Sequence, residues 1–395
     1  MTNQVQSSVD QLLLEQGEYS PLDFLLQEGR LHYADYEAWR NNEIKYLDTA
    51  LFGDAEQITA LLTQAKNYLQ RLGLQSQSAQ YHTWHQQSPQ SLRFSQNPSL
   101  DECFHQHFRK AQDQPQLDLF MDAPANSLVN GIQQALVNRH QTEARRQLER
   151  LYDTAPDHAK LAGLEQLVSA VENLSTPVND IASEMKTLQE QLTPLAETLV
   201  GKDSHNILVP QWQRLSESLQ HEPYNNDTPM LHNSYTAMQA MDWNRVRETV
   251  EQVPNWQSNL TLLHRHARAC GRLQLNHAAL MSWFLLCWLF PDNVDALASD
   301  IDTDISCYWS DFLEIEPELP PQTFPAWLLI RNAGLVNILP APEDCTAIPC
   351  SAAYHTLYSL QTDKHQPNQK TDDINKRALL KQQDPALFQH YLRLV

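Results

Sequence analysis

Four acids have the clearest claim to chemistry. Asp300, Asp302, Asp304 and Asp311 stand at positions 1, 3, 5 and 12 of a calcium-binding loop. Carboxylates at that spacing can wrap a hard cation with oxygen ligands. Two departures weigh against it. Position 6 is Ile305, where the loop turns sharply on glycine, and position 12 is Asp instead of the longer, bidentate Glu. Two Cys/His pairs also have ligand character: Cys103 with His107, and His266 with Cys270. On helices each pair shares a face, and two such faces meeting would make a tetrahedral zinc site. Ser183 and Lys186 have the spacing of one nucleophile motif, without its partner motifs. No Walker loop, GxGxxG, GxSxG or HExxH string occurs. The expectation is a protein with no cofactor and, more readily than an enzyme, one that does not catalyse. An enzyme of unknown reaction, metal-dependent or otherwise, is one alternative.

The elements that must carry these residues are helical. Nine glycines in 395 residues are too few for the turns of sandwiches, barrels or phosphate-cradling α/β folds. Hydrophobic residues at 42% and charged residues at 19% fit a folded globular chain. The formal charge of −20 sets 48 acids against 28 Lys and Arg, which opposes binding to phosphate backbones and to anionic membranes. No direct nucleic-acid binding and no membrane association are expected. The first residues lack the basic start and apolar core of a signal peptide. The longest apolar run, Ala278 to Phe290, is too short for a bilayer. With six scattered cysteines and no CxxC, these features point to a cytoplasmic protein with free thiols.

Punctuation divides the chain into four parts. Residues 1–73 read as a small N-terminal helical domain. Ser20 and Pro21 start one helix there and Gly29 stops it; further helices are expected over Tyr33–Asn41 and Glu43–Phe52. Asp54 and Gln57 then form a capping box for a helix with an apolar stripe of Ile58, Leu61, Leu62, Ala65, Leu69 and Leu72, ended by Gly73. Residues 74–125 read as a Gln/Ser-rich linker with a small hairpin, a short helix near Leu100–Lys110 and an extended stretch. Residues 126–340 are helical throughout, and 341–395 are a polar extension closed by a helix that begins at Asp384 and Pro385. The late tryptophans Trp283 and Trp288 suit a core.

Two strings in the third part share a pattern. Ala144, Leu148, Leu151 and Pro156 match Ala279, Trp283, Leu286 and Pro291 in spacing, and the two prolines lie 135 residues apart, close to four repeats of 34. The pattern resembles the second half of a tetratricopeptide repeat, with Leu where the third position is normally small. The resemblance covers about a fifth of the chain. The fold expected is all-α: a helical-hairpin, tetratricopeptide-like solenoid or an irregular helical bundle, with the small N-terminal helical domain. Such arrays are scaffolds and adaptors that bind other proteins, and the acidic surface favours basic segments as partners.

Gln116-Leu117-Asp118-Leu119-Phe120 is the most specific short string. It resembles the pentapeptide by which bacterial replication and repair proteins dock on the DNA sliding clamp. That resemblance implies Leu119 and Phe120 in an apolar pocket, Gln116 hydrogen-bonded beside it, and Leu117 adding apolar contact. The partner implied is the sliding clamp, and the function a DNA replication or repair accessory.

Overall fold

The computed structural model describes residues 2–84, 90–109, 123–298, 303–339, 350–363 and 370–394. The chain forms two compact units, Met1–Asp242 and Trp243–Val395. The division falls inside the stretch expected to be one repeat-like domain. Among the described residues helices dominate, and the only sheet is a small three-stranded one. No described helix is long and apolar enough to cross a membrane.

The first unit begins with α1 (Thr2–Gln16), α2 (Pro21–Gln27), α3 (Tyr33–Arg40) and α4 (Ala55–Arg71). The helix starts follow the sequence signals. The Ser20 hydroxyl accepts from the Asp23 N–H, and Asp54 Oδ1 accepts from the Gln57 N–H at 2.7 Å. Ile58, Leu62, Ala65 and Leu69 are the buried stripe of α4, each large side chain worth about 1.5–3 kcal/mol. Leu72, expected in that stripe, is exposed because the helix has ended. The helix expected over Glu43–Phe52 shrinks to a 3₁₀ turn, Leu47–Ala50. Asn42 at φ 64° ends α3 in the left-handed region, and the chain then turns to bond Arg93 through Tyr46 in a β-bridge.

Residues 74–109 are more than a connection. They contribute β2 (Gln75–Ser78), α5 (Pro98–Phe104) and β3 (Gln106–Arg109), and with β1 (Glu18–Tyr19) the strands form an antiparallel sheet in the order β1-β3-β2. A bridge between His82 and Ser91 makes the expected hairpin. Trp84, Phe94, Phe104 and Phe108 from this polar stretch enter the same core as Tyr19, Phe24, Tyr36 and Trp39. Phe94 and Phe104 stack at 3.9 Å. A few large aromatics outweigh the surrounding Gln and Ser.

The unit continues with α6 (Ala123–Val137), α7 (Gln141–Thr154), α8 (Leu161–Glu172), α9 (Ile181–Thr187), α10 (Thr193–Val200), α11 (His205–Ser218) and α12 (Asn233–Gln239). Ala144, Leu148 and Leu151 are fully buried in a core shared by α6, α7 and α8. A π-helical turn, Leu188–Leu192, joins α9 to α10. Pro194 at the start of α10 brings no N–H to the helix, and the Thr193 hydroxyl bonds back to Leu188 O at 2.8 Å.

The second unit holds α13 (Trp243–Glu251), α14 (Leu260–Arg272), α15 (Asn276–Leu289), α16 (Pro291–Leu297), α17 (Thr303–Leu313), α18 (Phe324–Arg331), α19 (Ala352–Asp363), α20 (Lys370–Gln383) and α21 (Pro385–Leu394). Its centre is α15, apolar on every side and buried along most of its length. Trp283, Phe284, Trp309, Phe312, Phe324 and Trp327 form one aromatic cluster around it. Trp288 packs partly buried against Phe284 and Tyr354.

One turn recurs. After α6, the N–H groups of Asn138, Arg139 and His140 bond to Gln134, Leu136 and Ala135 carbonyls, and Arg139 sits at φ 56°. After α14, Leu273, Gln274 and Leu275 repeat the three bonds, with Gln274 at φ 56°. Ala240, Met241 and Asp242 repeat them after α12. This is the left-handed helix stop, which also ends α2, α3 and α4; Gly29 and Gly73 fill it after α2 and α4, and non-glycine residues fill it after α3, α6, α12 and α14. In α6–α7 and α14–α15 the three residues lead straight into the next helix. Gln274→Gly is therefore expected to raise stability by about 0.5–1 kcal/mol, the left-handed strain relieved less the added chain entropy. Urea unfolding measures it, and an unchanged or lower midpoint contradicts the strain.

Candidate functional site

The site assembles from α3 outward. Tyr33, Tyr36 and Arg40 share one helical face, three, four and seven residues apart. Arg40 is only 4% exposed. Its Nε donates to the His82 carbonyl at 2.9 Å, Nη1 to the Tyr36 hydroxyl at 2.7 Å and Nη2 to Asn138 Oδ1 at 2.7 Å. The guanidinium lies 4.7 Å over the Trp84 ring. No carboxylate pairs with it among the described residues, so neutral acceptors and an aromatic face hold a buried charge.

Arg139 approaches the same indole, 4.0 Å from its centre. It forms an ion pair with Glu37 and donates to the Tyr33 hydroxyl at 3.2 Å. Its Nε donates to the Asn206 carbonyl at 3.2 Å. That bond has a cause in the sequence. Pro210 lies inside α11 and has no N–H, so the carbonyl four residues earlier needs another donor. Tyr33 in turn donates to Asn206 Oδ1 at 3.0 Å. Burial pushes the Tyr33 and Tyr36 hydroxyls up, Tyr36 to about 12, so both stay protonated. Two arginines thus tie α3, the α6–α7 turn and α11 into one polar seam.

A second link runs beside it. Lys202 forms an ion pair with Glu18 at 2.9 Å and meets His107 Nδ1 at 3.2 Å. Burial, then the Lys202 and His105 charges, lower His107 to about 3, so the ring is neutral and accepts from Lys202. Its Nε2 lies 3.1 Å from the Tyr81 hydroxyl.

Next to Arg139 opens a cavity of about 730 Å³. Leu136, Val171, Leu174 and Ile207 give it apolar walls, and His140, Thr142 and Asn206 polar ones. Its two acids are neutralised by their own neighbours: Glu143 by Arg146 at 2.7 Å, and Glu172 by Arg145, whose Nε donates at 2.7 Å. Among the described residues no group bonds the buried His140 Nε2, and burial and the Arg40 charge lower its pKa. The cavity offers donors and apolar surface to a ligand.

The residues singled out by sequence fall elsewhere. Gln116, Leu117, Asp118, Leu119 and Phe120 lie outside the described residues, as do Asp300 and Asp302. Asp304 and Asp311 fall within α17, and the Asp311 carboxylate accepts from Arg331 at 2.8 Å. Cys103 is on α5 and His107 on β3, so they share no helix. His266 and Cys270 do share a face of α14, with sulfur and ring nitrogen 3.6 Å apart. Among the described residues no three His, Cys, Asp or Glu side chains gather as a metal site. Lys186 is exposed and pairs with Glu190, away from any role as a base for Ser183.

One relay-like string was not foreseen. Ser282 Oγ lies 2.8 Å from His266 Nδ1, and His266 Nε2 lies 3.2 Å from Glu251. Ser282 is 2% exposed inside α15, so no substrate reaches its hydroxyl. The string satisfies a hydroxyl buried in an apolar helix. The arginine seam was also missed. Its one sequence signal is Arg40, seven residues after Tyr33 and therefore on the helix face that the aromatics bury.

The chain matches no protein-family model, no curated protein and no solved structure.

Proposed function

We propose that this chain is a cytoplasmic helical scaffold that binds a segment of another protein and catalyses nothing itself. The observation that carries the proposal is the cavity beside Arg139, walled by α7, α8 and α11 and held in place by the buried seam. A preformed cleft with apolar walls and a few fixed polar groups suits recognition. The repeat-like reading draws support from the buried Ala144, Leu148 and Leu151 of the first unit and from the buried Ala279, Trp283 and Leu286 at the corresponding positions of the second. The stretch from α8 to α11, with its π-turn and internal proline, departs from a regular array. The charge of −20 favours partners with basic segments.

The test compares the wild-type chain with Thr142→Trp, which fills the cavity from its wall. Each is used to capture proteins from the native host, with circular dichroism as the fold control. Partners are expected on the wild type and depleted at least about ten-fold on the variant, the loss of one good contact. Equal recovery on both, or none on either, counts against the proposal.

A further inference from the structure

Strand β2 is the outer strand of the sheet, and its ladder fixes which backbone groups point outward. The Ala79 N–H donates to the His105 carbonyl at 2.9 Å, and these two residues continue the β2–β3 register. Directly opposed, bonded pairs alternate with unbonded ones in an antiparallel ladder. Gln77 with His107, and Gln75 with Arg109, are therefore bonded pairs. Ser76 and Ser78 are the unbonded ones, so their N–H and C=O groups face away from β3. The same alternation points the Phe108 backbone at β1, where Phe108 is registered with Tyr19.

Ser76 and Ser78 also line a groove of about 490 Å³, whose other wall includes Ser91 to Arg93. Gln75 and Gln77 do not line it. All four β2 residues are exposed. Sheet edges are normally guarded by charge, proline or a bulge, and Gln-Ser-Gln-Ser carries none of these.

We infer that the outer edge of β2 is a docking site for an extended peptide segment of a partner protein, which adds a fourth strand through the Ser76 and Ser78 backbone groups. The charges of the groove select the segment. Asp101 is offset by Arg93 at 3.9 Å and accepts from the Phe94 and Ser95 N–H groups at 2.7 and 3.0 Å. Among the described residues Glu102 accepts only from the Gln106 amide, at 3.2 Å, and no cation pairs with it. The segment therefore carries Lys or Arg opposite that carboxylate. Main-chain bonds supply the affinity and that contact the preference. The site is separate from the cavity beside Arg139, and the two proposals fail independently.

The probe is a synthetic ten-residue peptide of alternating Thr and Val with two lysines, added to the full chain while backbone amide exchange is followed by NMR. The Ser76 and Ser78 amides are expected to slow by about ten-fold or more. The same peptide methylated on alternate backbone nitrogens, or with Glu in place of Lys, leaves them unchanged. In Ser76→Pro and Ser78→Pro the outward N–H is gone but no ladder bond is lost. Both variants are expected to keep the Gln77 and Ala79 amides protected and to lose the peptide effect. Slow exchange at Ser76 and Ser78 in the free chain, no response to the lysine peptide, or an equal response to the glutamate peptide overturns the inference.

Discussion

Arg139→Ala is expected to destabilise the first unit by about 3–5 kcal/mol, the usual loss when one partner of a buried ion pair is removed. The truncation strands several groups together. Among the described residues Glu37 keeps only the long contact from Gln213 at 3.4 Å. The Asn206 carbonyl, already deprived of a helical donor by Pro210, loses its replacement. Trp84 loses the closer of its two guanidinium groups. The left-handed φ of 56° strains arginine and alanine alike, so the backbone adds nothing to this loss. Arg139→Gly removes the same side chain without that strain and is expected to lose about 1 kcal/mol less. Arg139→Lys keeps the charge but not the planar fork and falls between wild type and alanine. Urea unfolding of all three orders them. A loss below about 1 kcal/mol for alanine, the size of a surface pair, would show that the seam carries little.

In the second unit the largest expected loss is at Trp283. It is 1% exposed at the centre of the aromatic cluster, edge-on to Trp309 at 5.8 Å. Trp283→Ala is expected to cost about 3–5 kcal/mol through lost burial and the cavity left behind. Trp283→Phe is expected to cost much less. The indole N–H is buried without an acceptor among the described residues, so its removal sheds an unsatisfied donor. Thermal unfolding of the two variants separates these contributions. Equal losses would mean that the N–H is paired in solution.

The helices with local signals were legible. Asp54, Gln57 and Gly73 bracket α4 because capping is decided within a few residues. Asp384 caps the last helix through the Leu387 N–H at 2.9 Å, and the apolar run around Trp283 becomes the buried α15. Where the fold depends on distant partners, the sequence was less informative. Gln75–Ser78 has no apolar alternation, and only its pairing with β3 makes it a strand. The helix expected over Glu43–Phe52 gave way because Asn42 turns the chain and Leu47 is drawn into the core. The seam joins Arg40 to Asn138 and Arg139 to Glu37 across about a hundred residues. No local pattern announces that juxtaposition; an arginine on the aromatic face of a short helix is its only trace.

The cavity and its proposed use rest on the first unit behaving as one body, joined by Arg40 and Arg139. Native-state hydrogen exchange tests this most directly. The prediction is that amides of α3 and of α6–α7 open with the same free energy in the wild type and separate in Arg139→Ala. If α3 already opens more than about 2 kcal/mol below α6–α7 in the wild type, the seam does not join them and the account is contradicted.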